Sequence, residues 1–153
     1  MQAQSPVDVH FRNLASKPLE RWLPALAAEL HGQGLRLVIR VGSEPRLRAL
    51  DQALWTYDPA SFLPHAAAGD GQEARQPVLL TMAAEAPNGA SVVLAVDDCS
   101  AAPEEGFERL DYFFDRNDAA GRDAARARWR EWRERGIEPV YWEADTQGWR
   151  RAG

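Results

Sequence analysis

The chain has 153 residues, enough for one domain with a substantial core, and its 45% hydrophobic and 27% charged content is that of a folded protein rather than a disordered one. A formal net charge of −5 argues against wholesale wrapping of nucleic acid, which needs a basic footprint. One cysteine, Cys99, excludes an intrachain disulfide and a cysteine-based zinc cluster, and no apolar run approaches the roughly 18–20 residues that span a bilayer. The opening MQAQSPVDVH has no basic stretch followed by an apolar one, so the expectation is a cytoplasmic protein.

In chain order, Val7, Val9 and Phe11 alternate with polar neighbours and predict a strand over 7–12. Ser16 is expected to cap a helix carrying Pro18 in its first turn and running to about His31. Leu19, Trp22, Leu23, Leu26, Ala27 and Leu30 share one face of it, and Pro24 should bend it. Gly32 and Gly34 stop that helix, and LRLVIRV (35–41) reads as the second strand. Ser43 caps a second helix with Pro45 early in it and Leu47, Leu50 and Leu54 facing inward. PVLLTM (77–82) and SVVLAV (91–96) read as strands joined across Asn88-Gly89, which predicts an antiparallel pair. LDYFFD (110–115) is a further strand, Asn117 or Asp118 starts a long helix to about Arg135, Gly136 ends it, and EPVYW (138–142) adds a last strand. Near-continuous apolar strands between amphipathic helices predict a single three-layer α/β/α domain around a mixed, mostly parallel sheet of Rossmann-like type.

Such a sheet invites a nucleotide-binding reading, but the phosphate loop is missing: there is no G-x-x-x-x-G-K-[ST], and Lys17 is the only lysine. Gly32 and Gly34 follow a helix and precede a strand, the reverse of the dinucleotide fingerprint. Asp97, Asp98 and Asp115 close strands and leave open the alternative of a nucleotide- or phosphate-binding enzyme with a cation at its strand ends, although surface acids are far commoner. His10, His31 and His65 lack partners at metal-ligand spacing, and Ser61 near His65 lacks a G-x-S-x-G elbow. Cys99 beside Asp98 is poorly placed to ionise. Neither catalysis nor a cofactor is expected.

Two segments carry more information. LWTYDPASFLPH (54–65) sets Trp55, Tyr57 and Phe62 in a proline-punctuated stretch, where large aromatics either close the edge of a core or anchor a partner. Residues 121–135 hold six arginines (122, 126, 128, 130, 133, 135) against three acids (123, 131, 134). On a helix, Arg122, Arg126 and Arg130 recur every fourth residue with Trp129 and Arg133 beside them. Guanidinium groups around an indole suit a peptide that is acidic and ends in apolar residues; a solvated helix face is the plainer alternative.

These two segments resemble the chi family of bacterial DNA polymerase III clamp-loader accessory subunits. The similarity extends through KPLE (17–20), LRLVIRVGSE (35–44), LDQALWTYDPASFLPH (50–65), QPVLLT (76–81), PNGA (87–90) and YWEAD (141–145), nearly the whole chain. The resemblance implies an α/β/α fold without catalysis, whose best-known site binds the acidic C-terminal tail of single-stranded DNA-binding protein. Matched residue by residue, Arg126, Trp129, Arg130 and Gly136 fall on that site. Trp55 and Phe62 fall on the aromatics that dock a second partner, the psi subunit or, in some bacteria, a helicase. Association with single-stranded DNA would then be indirect. The sequence departs from the family in having Phe11-Arg12 where Phe-Tyr is common, and Trp129 and Arg130 where tyrosine and lysine occur.

Overall fold

A computed structural model describes residues 7–56, 64–67, 76–83 and 88–152. The strands are β1 (Asp8–Asn13), β2 (Leu37–Arg40), β3 (His65–Ala67), β4 (Val78–Thr81), β5 (Val92–Ala95), β6 (Arg109–Phe114), β7 (Val140–Asp145) and β8 (Gly148–Ala152). The helices are α1 (Leu19–Gly32), α2 (Glu44–Thr56) and α3 (Ala119–Glu134). All eight strands form one sheet in the order β3-β4-β2-β5-β6-β1-β7-β8, parallel throughout except for β8, which returns antiparallel along β7.

Successive strand residues point to opposite faces, and each face is closed by different helices. Leu37, Ile39, Val78, Leu80, Val92 and Leu94 pack under α1 and α2, while Phe11, Val93, Leu110 and Tyr112 pack under Ala125 and Trp132 of α3. The layers follow from crossover handedness. The chain leaves β1 through α1 toward one edge and leaves β6 through α3 toward the other, so right-handed connections put the helices on opposite faces. The three-layer, mostly parallel architecture expected from the sequence is the one observed.

The α1 and α3 helices end alike. Gly34 (φ +84°) and Gly136 (φ +79°) adopt the left-handed conformation just past each helix. In α1, Gly34 N–H donates to His31 C=O and Leu35 N–H to Leu30 C=O, satisfying carbonyls that would otherwise lack partners; Gly136 and Ile137 repeat the pattern on Arg133 and Trp132. At the start of α2, Ser43 Oγ accepts from Arg46 N–H at 3.3 Å, as expected of a cap. Pro24 lies buried within α1, which continues through it.

Three expectations need correction. The strands over 77–82 and 91–96 are not an antiparallel pair: β4 and β5 both run parallel to β2, one on each side. Asn88 is buried and its side-chain amide donates to Leu37 C=O and Gln76 C=O, pinning the connection at the start of β2 instead of forming a hairpin turn. Ser16 does not cap α1, whose cap position is Pro18 with no side-chain bond. With φ +67°, Ser16 instead donates its N–H to Asp115 and accepts from the Asn117 amide. Finally, β3 and β8 were not anticipated, since three residues and an arginine-rich five-residue run carry little periodicity.

The Ser16 bonds belong to a larger latch. The loops after β1 and β6 depart toward opposite faces, the place where sheets of this kind usually open a ligand crevice. Here Asn13 Oδ1 accepts from both Ala15 N–H and Arg116 N–H, each at 3.0 Å, tying the two loops together.

Arg12, the departure in the first strand, is buried. Its Nε donates to Asp111 at 2.9 Å, and its guanidinium lies 4.7 Å from the Trp142 ring centre and 5.1 Å from that of Trp149. Trp149 also packs edge-on against Trp22 at 5.2 Å, so this cation joins β8 to the α1 face.

Candidate functional site

α3 shields its face of the sheet thinly. Only Ala125 and Trp132 of its residues are buried, and the strand it packs against most is β6. Asp118 caps it by accepting from Gly121 N–H at 2.8 Å. Its opposite flank is fastened by Arg128, whose Nε donates to Asp98 Oδ1 at 3.1 Å; the Tyr112 hydroxyl donates to the same oxygen. The Arg128 bond to Asp98 holds the guanidinium pKa above its ordinary value, and burial together with Asp98 does the same for the Tyr112 phenol.

Between α3 and the uncovered part of the sheet lies a groove of about 770 Å³. Its floor is aromatic: Phe11, Phe114, Trp129 and Tyr141. Phe11 is buried and acts as the base, with Trp129 edge-on to it at 5.1 Å and Phe114 at 6.2 Å; Tyr141 closes the group at 6.3 Å from Trp129. The rim is basic: Arg116, Arg122, Arg126, Arg130 and Arg133. No carboxylate lines this groove among the described residues. Arg122 pairs loosely with Asp123 at 3.8 Å and Arg133 with Glu138 at 3.6 Å, whereas Arg116, Arg126 and Arg130 have no ion pair among the described residues.

The structure brings Arg126, Trp129 and Arg130 together in one groove. Gly136 stands apart, beyond the end of α3 and outside the lining. It is the left-handed stop of the helix that presents the arginines. Gly136→Ala is expected to cost about 1 kcal/mol of stability, read as a shift in the urea midpoint, with little change at the groove itself. Phe11, Phe114, Arg116 and Tyr141 line the same groove without having been singled out from the sequence. They come from three strands and a loop far apart in sequence, and no local pattern marks them as neighbours.

The rival carboxylates are occupied. Asp97 accepts from Gly42 N–H at 3.0 Å and pairs with Arg46 at 3.2 Å; Asp98 is committed to Tyr112 and Arg128; Asp115 accepts from Ser16 and Asn117. No group of three or more potential metal ligands occurs among the described residues. Burial and neighbouring Asp97 push the Cys99 thiol above its ordinary pKa, against a reactive thiolate.

Trp55 stands at the end of α2 on the far side of the sheet. It is 54% exposed and packs edge-on to His65 at 4.7 Å, while His65 faces Asp51 at 3.2 Å. Phe62 lies outside the described residues, as does Tyr57. No helix among the described residues is long and apolar enough to cross a membrane.

Comparison with known proteins bears on the fold and the family. In solved structures the fold is similar to a variant of the C-terminal domain of S. cerevisiae Dbp5 bound to Gle1 and IP6, with a TM-score of 0.65, 14% identity and 93% of each chain covered. A second structure, the C-terminal domain of the DEAD-box protein Dbp5, gives a TM-score of 0.61 at 15% identity over 92% of each chain. At such identities the likeness concerns the fold alone. A curated relative, the probable DNA polymerase III subunit chi of Rickettsia prowazekii (strain Madrid E), is 40% identical over 47 residues, which are 31% of this chain and 28% of the relative. The match therefore spans little more than a quarter of that protein's length. The sequence family described as DNA polymerase III chi subunit, HolC, matches residues 7–140. That is most of the chain, and the chain belongs to the DNA polymerase III chi subunit family.

Proposed function

We propose that the chain is a non-catalytic adaptor of the polymerase III clamp loader whose groove binds the acidic C-terminal tail of single-stranded DNA-binding protein. It would thereby reach single-stranded DNA indirectly. The observation that carries this reading is a rim of five arginines around an aromatic floor with no carboxylate among its lining residues. Arg126 and Arg130 would pair with carboxylates of the tail, and Trp129 would take its apolar side chain. No cofactor is needed for such a role.

A second replication protein, the psi subunit or a helicase, would dock at Trp55 with Phe62. Trp55 sits beside β3 at one edge of the sheet, while the groove lies at β7, six strand positions away. At the usual spacing that is about 29 Å. Two partners could therefore be held together without touching, which suits an adaptor. Trp55→Ala is expected to weaken psi-subunit binding by tenfold or more, the usual effect of truncating an aromatic anchor, and to leave tail binding unchanged; calorimetry with each partner separates the two.

The test of the groove is an anisotropy titration with a labelled acidic peptide ending in phenylalanine. Micromolar affinity that weakens as salt rises is expected, because the rim charges are exposed and screened. Absence of binding at low salt would sink the proposal.

A further inference from the structure

With only Ala125 and Trp132 buried, α3 has little apolar attachment to the sheet, and a polar strut on the flank away from the groove completes it. The strut starts from the turn after β5, where Asp97 (φ +55°) and Asp98 (φ +59°) both adopt the left-handed conformation that side chains seldom take. This turn sends its two carboxylates to helices on opposite faces of the sheet. Asp97 accepts from Gly42 N–H and from Arg46 in the first turn of α2, whereas Asp98 is turned to α3. Arg128 donates to the Asp98 carboxylate at 3.1 Å and to its backbone C=O at 3.2 Å, and the Tyr112 hydroxyl donates to the same carboxylate.

Both partners of Asp98 lead to the groove. Arg128 immediately precedes Trp129 on α3. Tyr112 is 1% exposed, and its ring lies 4.8 Å from Phe11, the base against which Trp129 stands edge-on. One carboxylate therefore braces the helix that carries the arginine rim and the ring beside its aromatic base, although Asp98 does not itself line the groove. We propose that Asp98 is a positioning residue for this site: it holds α3 and Tyr112 together so that Trp129 and the arginines form a groove already shaped for its ligand. This rests on the reading of the groove as an acidic-peptide site and adds what sets its shape.

The experiment compares Asp98→Gly with Asp97→Gly in the full chain. Glycine relieves the left-handed backbone at either position, so each variant loses a carboxylate without added strain. Asp98→Gly should weaken binding of the labelled acidic peptide ending in phenylalanine by about fivefold, because a groove that must be reassembled gives up part of its binding energy. Asp97→Gly should bind within about twofold of the unaltered protein, since its partners lie on the α2 side and it shares none with α3. Asp98→Asn keeps an oxygen for Tyr112 and Arg128 and tolerates the left-handed backbone, so it should recover most of the affinity. With the six tryptophans replaced by fluorotryptophan, the Trp129 fluorine resonance, assigned through Trp129→Phe, should shift in Asp98→Gly and stay in place in Asp97→Gly. An unmoved resonance and unchanged affinity in Asp98→Gly, or equal losses in the two glycine variants, would overturn the positioning role and leave the groove's ligand as proposed. Failure of the unaltered protein to bind the peptide would sink the acidic-peptide reading, while the Trp129 resonance would still decide whether Asp98 shapes the groove.

Discussion

Replacing Asp111 with alanine is expected to destabilise the protein by about 3–5 kcal/mol, a large part of the stability of a domain this size. Asp111 is fully buried and accepts from Arg12 Nε at 2.9 Å, from Arg109 Nε at 2.6 Å and from Arg109 Nη2 at 3.0 Å. Arg12 is itself buried, and desolvation already lowers its pKa even with the aspartate present. Without Asp111 a guanidinium would remain between two indoles with no carboxylate to balance it. Replacing Arg12 and Asp111 together with apolar residues of similar size should cost less than Asp111→Ala alone, because the buried Arg12 charge goes with its partner and only the less buried Arg109 loses a carboxylate. Urea denaturation of the single and double variants checks this. A cost below about 1 kcal/mol for Asp111→Ala would show that water or a rearranged Arg12 satisfies the charge. The pair lies on the α1 side of the sheet, away from the groove, so tail affinity should persist wherever the variant is folded.

Arg130→Glu is expected to reduce affinity for the acidic tail by about thirtyfold or more while leaving the urea midpoint nearly unchanged. A charge-assisted hydrogen bond to a carboxylate contributes about 1.5–3 kcal/mol, and 1.4 kcal/mol corresponds to tenfold. Reversal adds repulsion to that loss. Arg130 is exposed and has no ion pair among the described residues, so nothing in the fold depends on it. Arg128→Glu serves as the comparison: it also lies on α3, but it binds Asp98 on the other flank, so its replacement should disturb stability. If Arg130→Glu bound the tail as tightly as the unaltered protein, the groove would not be the site.

Much of the fold was legible because it rests on local periodicity. The face of α1 and the buried runs of β2, β4 and β5 could be read residue by residue, since burying an apolar stripe is what makes those segments helix or strand. The arginine–tryptophan helix was legible for the same reason: four-residue spacing places Arg122, Arg126 and Arg130 together whatever else the chain does. The misreadings concern pairing. Asn88-Gly89 carries the signal of a hairpin, but the buried Asn88 amide is bound to the backbone at Leu37 and Gln76, contacts that exist only once β2 lies between β4 and β5. Likewise Ser16 looks like a cap and serves as a loop latch, because its partner Asp115 is 99 residues away.

The sequence by itself determined the class of fold, the helix that carries the basic rim, and the family, because these depend on spacing and composition within short windows. Only the tertiary structure decided what that rim surrounds. Sheet order brings Phe11 of β1, Phe114 of β6 and Tyr141 of β7 side by side under Trp129, and places Arg116 at the rim of the same groove. Parallel strands bring into contact residues separated by a hundred positions, and their register is set by burial summed over the whole sheet rather than by any local pattern.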